Sequence, residues 1–360
     1  MFARLANQPQ VAATSSLFDR LAQAPAVRSL ARRLEQGGAL SCVGVSGPAQ
    51  PCLAALLHKL FPNRPIVVIA DSLKTQEWLQ QDVNTWLRVA GCGLSNESPS
   101  PDTPHPAPRT LFYPAWEILP HEAKLPHADV ISDRLETLIA LSEHATRDTT
   151  SPSAIANRPS PIVVTNVLAL LQRTFPPADL VQRARALRRG TRIEPLDLVE
   201  WLEQQGYEPE AQVTTKGELS LRGGILDLFP PTCPWPVRLE FFGDELESLR
   251  EFDPLTQISR EEIPEVTLPP AGELGILKKV VPGAESELSA KATAAHLTPR
   301  TPHPAPAFAT LLDYLPRNAI LLLCEPQSLE ERAAEYASQV PAGDRSEEHT
   351  SELQSPYVIS

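Results

Sequence analysis

Residues 38–72 read G-A-L-S-C-V-G-V-S-G-P-A-Q-P-C-L-A-A-L-L-H-K-L-F-P-N-R-P-I-V-V-I-A-D-S. The short apolar run at 38–45 has the character of a buried strand. Leu53, Leu56, Leu57 and Leu60 then recur at helical spacing, and P-I-V-V-I-A at 65–70 predicts a second strand. Asp71 and Ser72 are suited to capping a helix that carries Trp78, Leu79, Val83 and Leu87. Strand, helix, strand, helix in this order is the signature of a parallel α/β sheet.

The alternation continues outward. A third strand is expected at 110–113, then an amphipathic helix over 129–143 with Ile131, Leu135, Leu138, Ile139 and Leu141 mostly on one side. A fourth strand, I-V-V-T, follows at 162–165. Stretches rich in Pro and Ser at 96–109 and 146–161 read as loops. Near Pro176 the pattern changes: Pro195 fits the first turn of a helix ending before Gly206, and strands dominate from 213 to 268. A third Pro-rich stretch at 297–307 precedes a last strand at 319–324 and a helix at 328–336. These shifts divide the chain into an α/β domain (1–180), a small α+β domain (181–270) and a returning α/β segment (271–344). The hexapeptide T-P-H-P-A-P at Thr103 and Thr301 is a compositional echo and not a repeat architecture.

Residues 345–360, R-S-E-E-H-T-S-E-L-Q-S-P-Y-V-I-S, resemble a translated sequencing adapter. They are expected to be a non-native tail, with the native frame interrupted near Asp344.

Between the first strand and helix, G-V-S-G-P-A-Q-P at 44–51 sits where a phosphate-binding loop would lie. Such a loop needs G-x-x-x-x-G-K-[S/T], because Lys reaches the phosphates and the hydroxyl holds magnesium. Gly44 fits the first position, but Ala49, Gln50 and Pro51 replace Gly, Lys and the hydroxyl residue, and Pro51 offers no N–H to an anion. The loop reads as degenerate, and no bound cofactor is expected. The eight histidines lack metal-ligand spacing, the five cysteines (Cys42, Cys52, Cys92, Cys233, Cys324) form no C-x-x-C pair, and no Ser-His-Asp set stands out. No metal and no catalytic residue is nominated.

Residues 222–253, R-G-G-I-L-D-L-F-P-P-T-C-P-W-P-V-R-L-E-F-F-G-D-E-L-E-S-L-R-E-F-D, alternate apolar and polar positions in two bursts around a Pro-rich corner. Arg222, Arg238 and Phe242 fall where they could face outward as a binding surface. Turn packing for Arg222 and a core position for Phe242 are the competing readings. Arg183, Arg185, Arg188, Arg189 and Arg192 form a basic cluster suited to acidic protein, to DNA phosphate, or simply to solvent. The formal net charge of −12 argues against a chain-wide nucleic-acid footprint. The absence of any stretch of roughly 18 apolar residues argues against a membrane span, and a soluble cytoplasmic protein is expected.

Several segments together resemble the N-terminal part of the bacterial transcription-repair coupling factor family (Mfd). They are F-Y-P-A-W-E-I-L-P-H-E at 112–122, P-H-A-D-V-I-S-D-R-L-E-T-L at 126–138, V-V-T-N-V-L-A-L-L-Q-R-T-F-P-P at 163–177, the run at 222–253 extended through E-V-T-L-P-P-A-G-E at 265–273, and L-L-D-Y-L-P at 311–316. The resemblance implies a RecA-like domain, of the P-loop NTPase type, that lacks a working nucleotide site. It also implies an inserted UvrB-interaction-type domain and a segment that completes the first. On this resemblance Arg222, Arg238 and Phe242 match the positions that recruit UvrA in nucleotide excision repair. ATP, magnesium, double-stranded DNA and RNA polymerase would be engaged by domains beyond this chain, which itself would be a non-catalytic monomer. The alternative is a UvrB-like excision-repair ATPase, which Gln50 and Pro51 oppose.

Overall fold

A computed structural model describes residues 17–90, 110–119, 122, 124–150, 159–280 and 308–340. The Pro-rich stretches at 96–109 and 297–307, both T-P-H-P-A-P copies, residues 151–158, Cys92, His121 and the tail at 345–360 lie outside the described residues, and 146–150, expected as loop, continue a helix.

Helices α1 (Leu17–Gln23) and α2 (Pro25–Gln36) lead to α3 (Gln50–Leu60). Residues 38–45, expected as the first strand, form none. Leu40 is buried, but Val43 is 96% exposed and Gly37, Gly38 and Gly44 adopt positive φ. The sheet begins instead with β1 (Ile66–Ala70), apolar and buried at every position because both of its faces are covered. Ser72 caps α4 (Leu73–Val89) by accepting the Thr75 N–H at 3.3 Å. Then come β2 (Thr110–Tyr113), the long α5 (Ala128–Thr150), β3 (Ile162–Asn166) and α6 (Val167–Leu171).

The chain next leaves this layer through α7 (Pro177–Gln182) and β4 (Arg185–Arg188). Helix α8 (Pro195–Gln204) packs under a sheet built from β5 (Glu208–Pro209), β6 (Glu218–Arg222), β7 (Ile225–Leu228), β8 (Val237–Phe242), β9 (Glu245–Phe252) and β10 (Ser259–Glu262). The spatial order is β10-β9-β8-β7-β6-β5. Leu198, Leu202 and Tyr207 meet Leu219, Leu226, Leu228, Val237, Leu239, Leu246 and Leu249 in a single core. Strand β11 (Glu265–Leu268) returns antiparallel to β4, pairing Leu268 with Arg185, so the small domain is entered and left through one two-stranded ribbon.

After α9 (Leu274–Val280), strand β12 (Ile320–Leu323) and helix α10 (Pro326–Gln339) complete the first layer. Its sheet is parallel, in the order β12-β1-β3-β2, with Ile66 opposite Ile320. β12 and β3 thus occupy both edges of β1, so residues 38–45 do not neighbour it in the sheet. Alternate β1 residues feed two cores, Val67 and Ile69 toward α5, Ile66 and Val68 toward α3 and α4.

The two bodies are joined by a buried ion pair. Arg134 of α5 and Glu273, just ahead of α9, are both without solvent exposure. Arg134 Nε and Nη2 donate to Glu273 at 2.6 and 2.9 Å, and Nη1 donates to the Pro114 carbonyl at 2.9 Å and to Gln172 Oε1 at 3.3 Å. Tyr113 and Trp116 present ring faces to the guanidinium at 4.3 and 4.8 Å, and Trp116 Nε1 donates to Glu273 at 3.1 Å. Burial opposes the Arg134 charge, but the Glu273 carboxylate outweighs it and the pKa moves up. Nearby, Ser132 donates to the Pro231 carbonyl and accepts from Lys216 Nζ at 2.9 Å, tying α5 to the small domain.

Removing one member of a buried pair leaves an uncompensated charge and costs roughly 3–5 kcal/mol. Glu273→Gln should therefore lower the urea midpoint sharply, and an unchanged midpoint would contradict the buried pairing. Burial pushes the Asp133 carboxyl up to about 6 from 3.8, with Lys216 opposing and Glu136 and Asp129 reinforcing. Because the folded pKa is the higher, this group's favourable contribution exists below the unfolded value and is lost as pH rises through about 6. Asp133→Asn should raise the melting temperature at neutral pH, with the gain vanishing near pH ~4.

Candidate functional site

The segment in the phosphate-loop position is held by protein atoms. Gly44 is left-handed at φ +87, Gly47–Ala49 forms one 3-10 turn, and Gln50 is buried at the start of α3 with Pro51 behind it. Gln50 Nε2 donates to Glu325 Oε1 at 2.9 Å, and Glu325 occupies the left-handed region (φ 54) at the head of α10. An amide here supplies no cation, and Glu325 sets a carboxylate beside it. Among the described residues no group of three His, Cys, Asp or Glu could hold a metal ion. Burial pushes the Cys233 thiol up to about 11 and Cys324 up to about 12, so neither is a ready nucleophile.

The other candidate surface is the outer face of the small domain's sheet. Leu219, Leu221, Leu226, Leu228, Val237, Leu239 and Phe241 face the core. Strand alternation and the observed register put Arg222, Ile225, Asp227, Arg238, Glu240 and Phe242 on the opposite side. The centre of this face is Asp227, only 1% exposed and directly across from Arg238. Arg238 Nε and Nη2 donate to its two oxygens at 2.7 and 2.9 Å, and Arg222 Nη2 donates from the neighbouring strand at 3.1 Å. The hydrogen bonds to Asp227 push the Arg238 pKa up, with burial opposing. Its guanidinium also lies over Phe252 at 4.8 Å.

The three nominated residues therefore differ in kind. Arg238 is largely covered, its side chain 17% exposed, and is committed to Asp227 and Phe252. Arg222 keeps a 56% exposed side chain that Asp227 orients. Phe242 is 76% exposed, so it is no core residue, and Ile225 is 40% exposed on the same face. Two tight hairpins close at this end: Gly223 and Gly243 both take positive φ, with Arg222 paired to Ile225 and Phe242 to Glu245. Asp227 and Ile225 were not singled out from sequence, yet a lone acid in I-L-D-L marks a polar position on the outer face.

The basic cluster is dispersed. Arg183 lies over Phe175, Arg185 over Trp201, Arg189 is 3.8 Å from Glu262, and Arg192 pairs with Glu245 at 3.2 Å. Four of its five members thus have partners within the molecule.

Residues 186–274 match the family described as the UvrB interaction domain. The chain is a relative of the transcription-repair-coupling factors, matching their N-terminal region. It is 32% identical to that of Myxococcus xanthus over 259 residues, covering 72% of this chain and 19% of the relative. It is 37% identical to that of Escherichia coli over 158 residues, 44% of this chain and 12% of the relative, and 28% identical to that of Bacillus subtilis over 320 residues, 80% and 24%. The chain thus spans at most about a quarter of the length of these transcription-repair-coupling factors. The UvrB interaction domain match begins inside β4 and ends at the first residue of α9, so it contains the Asp227 face, the ribbon strand β11 and Glu273.

Gly224 abuts the strand beside it: an added Cβ would lie 2.8 Å from the Phe241 carbonyl oxygen. Gly224→Ala must displace backbone, so it should cost about 1–3 kcal/mol in chemical denaturation and perturb the Phe242 end of the face. Wild-type stability in that variant would show that the two strands can separate without penalty.

Proposed function

We propose that this chain acts as the UvrA-recruiting module of a transcription-repair-coupling factor in transcription-coupled nucleotide excision repair, binding its partner without catalysing a reaction. The observation that carries the reading is the exposure of Phe242 beside Arg222 on a face organised by a buried aspartate, inside the segment that matches the UvrB interaction domain. Aromatic and arginine side chains are the common anchors of protein interfaces, and a pre-oriented guanidinium loses less entropy on binding. Arg238 serves mainly to fix the face, through Asp227, and Arg222 and Phe242 meet the partner. In this reading ATP, magnesium, RNA polymerase and driven movement along double-stranded DNA are the concern of other parts of the whole factor. The Gln50–Glu325 contact favours it over a UvrB-like ATPase, because a carboxylate beside the loop repels a triphosphate.

Immobilised UvrA and the purified chain provide the test. Phe242→Ala should weaken binding about 30-fold, the effect of losing about 2 kcal/mol at an interface anchor, with the melting temperature unchanged. Arg222→Ala should weaken it less, whereas Arg238→Ala should lower both binding and melting temperature. Equal affinity for wild type and Phe242→Ala would overturn the assignment.

A further inference from the structure

Charge is unevenly placed along this chain. Residues 17–64 carry six cations, Arg20, Arg28, Arg32, Arg33, Lys59 and Arg64, against two acids, Asp19 and Glu35, a surplus of four positive charges within a chain of formal net charge −12. An acidic protein that concentrates its positive charge in one segment commonly does so to meet a polyanion.

The fold gathers these cations into one layer. Leu34 is buried, and Val27 and Leu30 pack against the same core, so one side of α2 is spent on the interior. Arg28, Arg32 and Arg33 are exposed around the remainder, and Arg20 is exposed on α1. Lys59 of α3 pairs with Asp19 of α1 at 2.6 Å, and Arg64 Nη1 reaches the Leu34 carbonyl at 3.3 Å, fastening the three helices together. Arg28 donates to the Gln23 side chain. Among the described residues no carboxylate lies within ion-pair distance of Arg20, Arg28, Arg32 or Arg33.

We propose that the arginine face of α2, extended by Arg20, is a sequence-independent contact for the phosphate backbone of duplex DNA. Arg28 and Arg32, one turn apart, have Cβ atoms about 5–6 Å from each other, close enough for their long side chains to reach neighbouring phosphates, and each guanidinium fork matches phosphate geometry. A lipid surface is the poorer occupant, because the apolar stripe that would enter it is already covered by the core. An acidic protein is also poorer, because α2 exposes no large apolar or aromatic side chain to anchor one. The face belongs to the α/β body and is separate from the Asp227 face.

Fluorescence anisotropy of a labelled duplex against the full chain, titrated across a range of salt, tests this. Each phosphate contact contributes about 0.9 to the slope of log affinity against log salt. The Arg28→Gln, Arg32→Gln, Arg33→Gln triple variant should therefore lose roughly 2–3 of that slope and at least about tenfold in affinity at low salt. If the triple variant folds poorly, Arg32→Gln alone should lose about 0.9 of the slope. UvrA binding through Phe242 should be unaffected in either variant, which separates this proposal from the one above. Identical slopes for wild type and variant would overturn it. Displacement of the duplex by polyglutamate at equal charge would mark an acidic-protein surface and overturn it too.

Discussion

The parallel sheet, the exit of the small domain and the last helix converge on the salt bridge between Arg134 and Glu273. The guanidinium comes from the second turn of α5, the carboxylate from the exit of the small domain, and neither meets water. Two ion-sized groups can sit together in an apolar interior only if their remaining donors and acceptors are also satisfied. Pro114, Gln172 and Trp116 do this. Gln172 in turn accepts the backbone N–H of Trp116 at 2.7 Å and donates to Tyr336 of α10 at 3.2 Å. A single cluster thus touches α5, the turn after β2, the end of α6, the exit of the small domain and the last helix.

The same cluster brings together short motifs that lie far apart in the chain. Tyr113 and Trp116 lie in F-Y-P-A-W-E, Arg134 in S-D-R-L-E, Gln172 in L-L-Q-R-T and Glu273 in P-A-G-E. Each contributes to one buried assembly, and the exposed Phe242 face lies elsewhere. The small domain enters and leaves through the β4–β11 ribbon and is braced by Ser132 and Lys216, which fixes the Phe242 face relative to the parallel sheet.

Local features were legible in the sequence and non-local ones were not. Helix α3, strand β1 and the Ser72 cap follow from spacing and side-chain chemistry within a few residues. The strand expected at 38–45 does not form, and the place beside β1 is taken by β12, from the far end of the chain. Phe242 was legible as a possible outward residue because alternation fixes the face of a strand. The restraint on Arg238 was not, since it depends on Asp227 of another strand and Phe252 of a third. The basic run at 183–192 looked like one patch, but ribbon, turn and loop geometry give its arginines separate partners. The charge on α2 was overlooked because the net charge of the whole chain hides it.

The contact between Gln50 and Glu325 has a consequence for timing. In a motor domain the gap between the first helix and the completing layer opens and closes with the phosphates it holds, so the shape of the protein reports the cell's energy supply. Here both sides of the gap are fastened by an amide and a carboxylate of the chain itself. The contact is made by the chain's own groups and forms without any bound phosphate, so it holds for as long as the chain is folded. It fastens the head of α3 to the head of α10, between residues 275 positions apart in the chain.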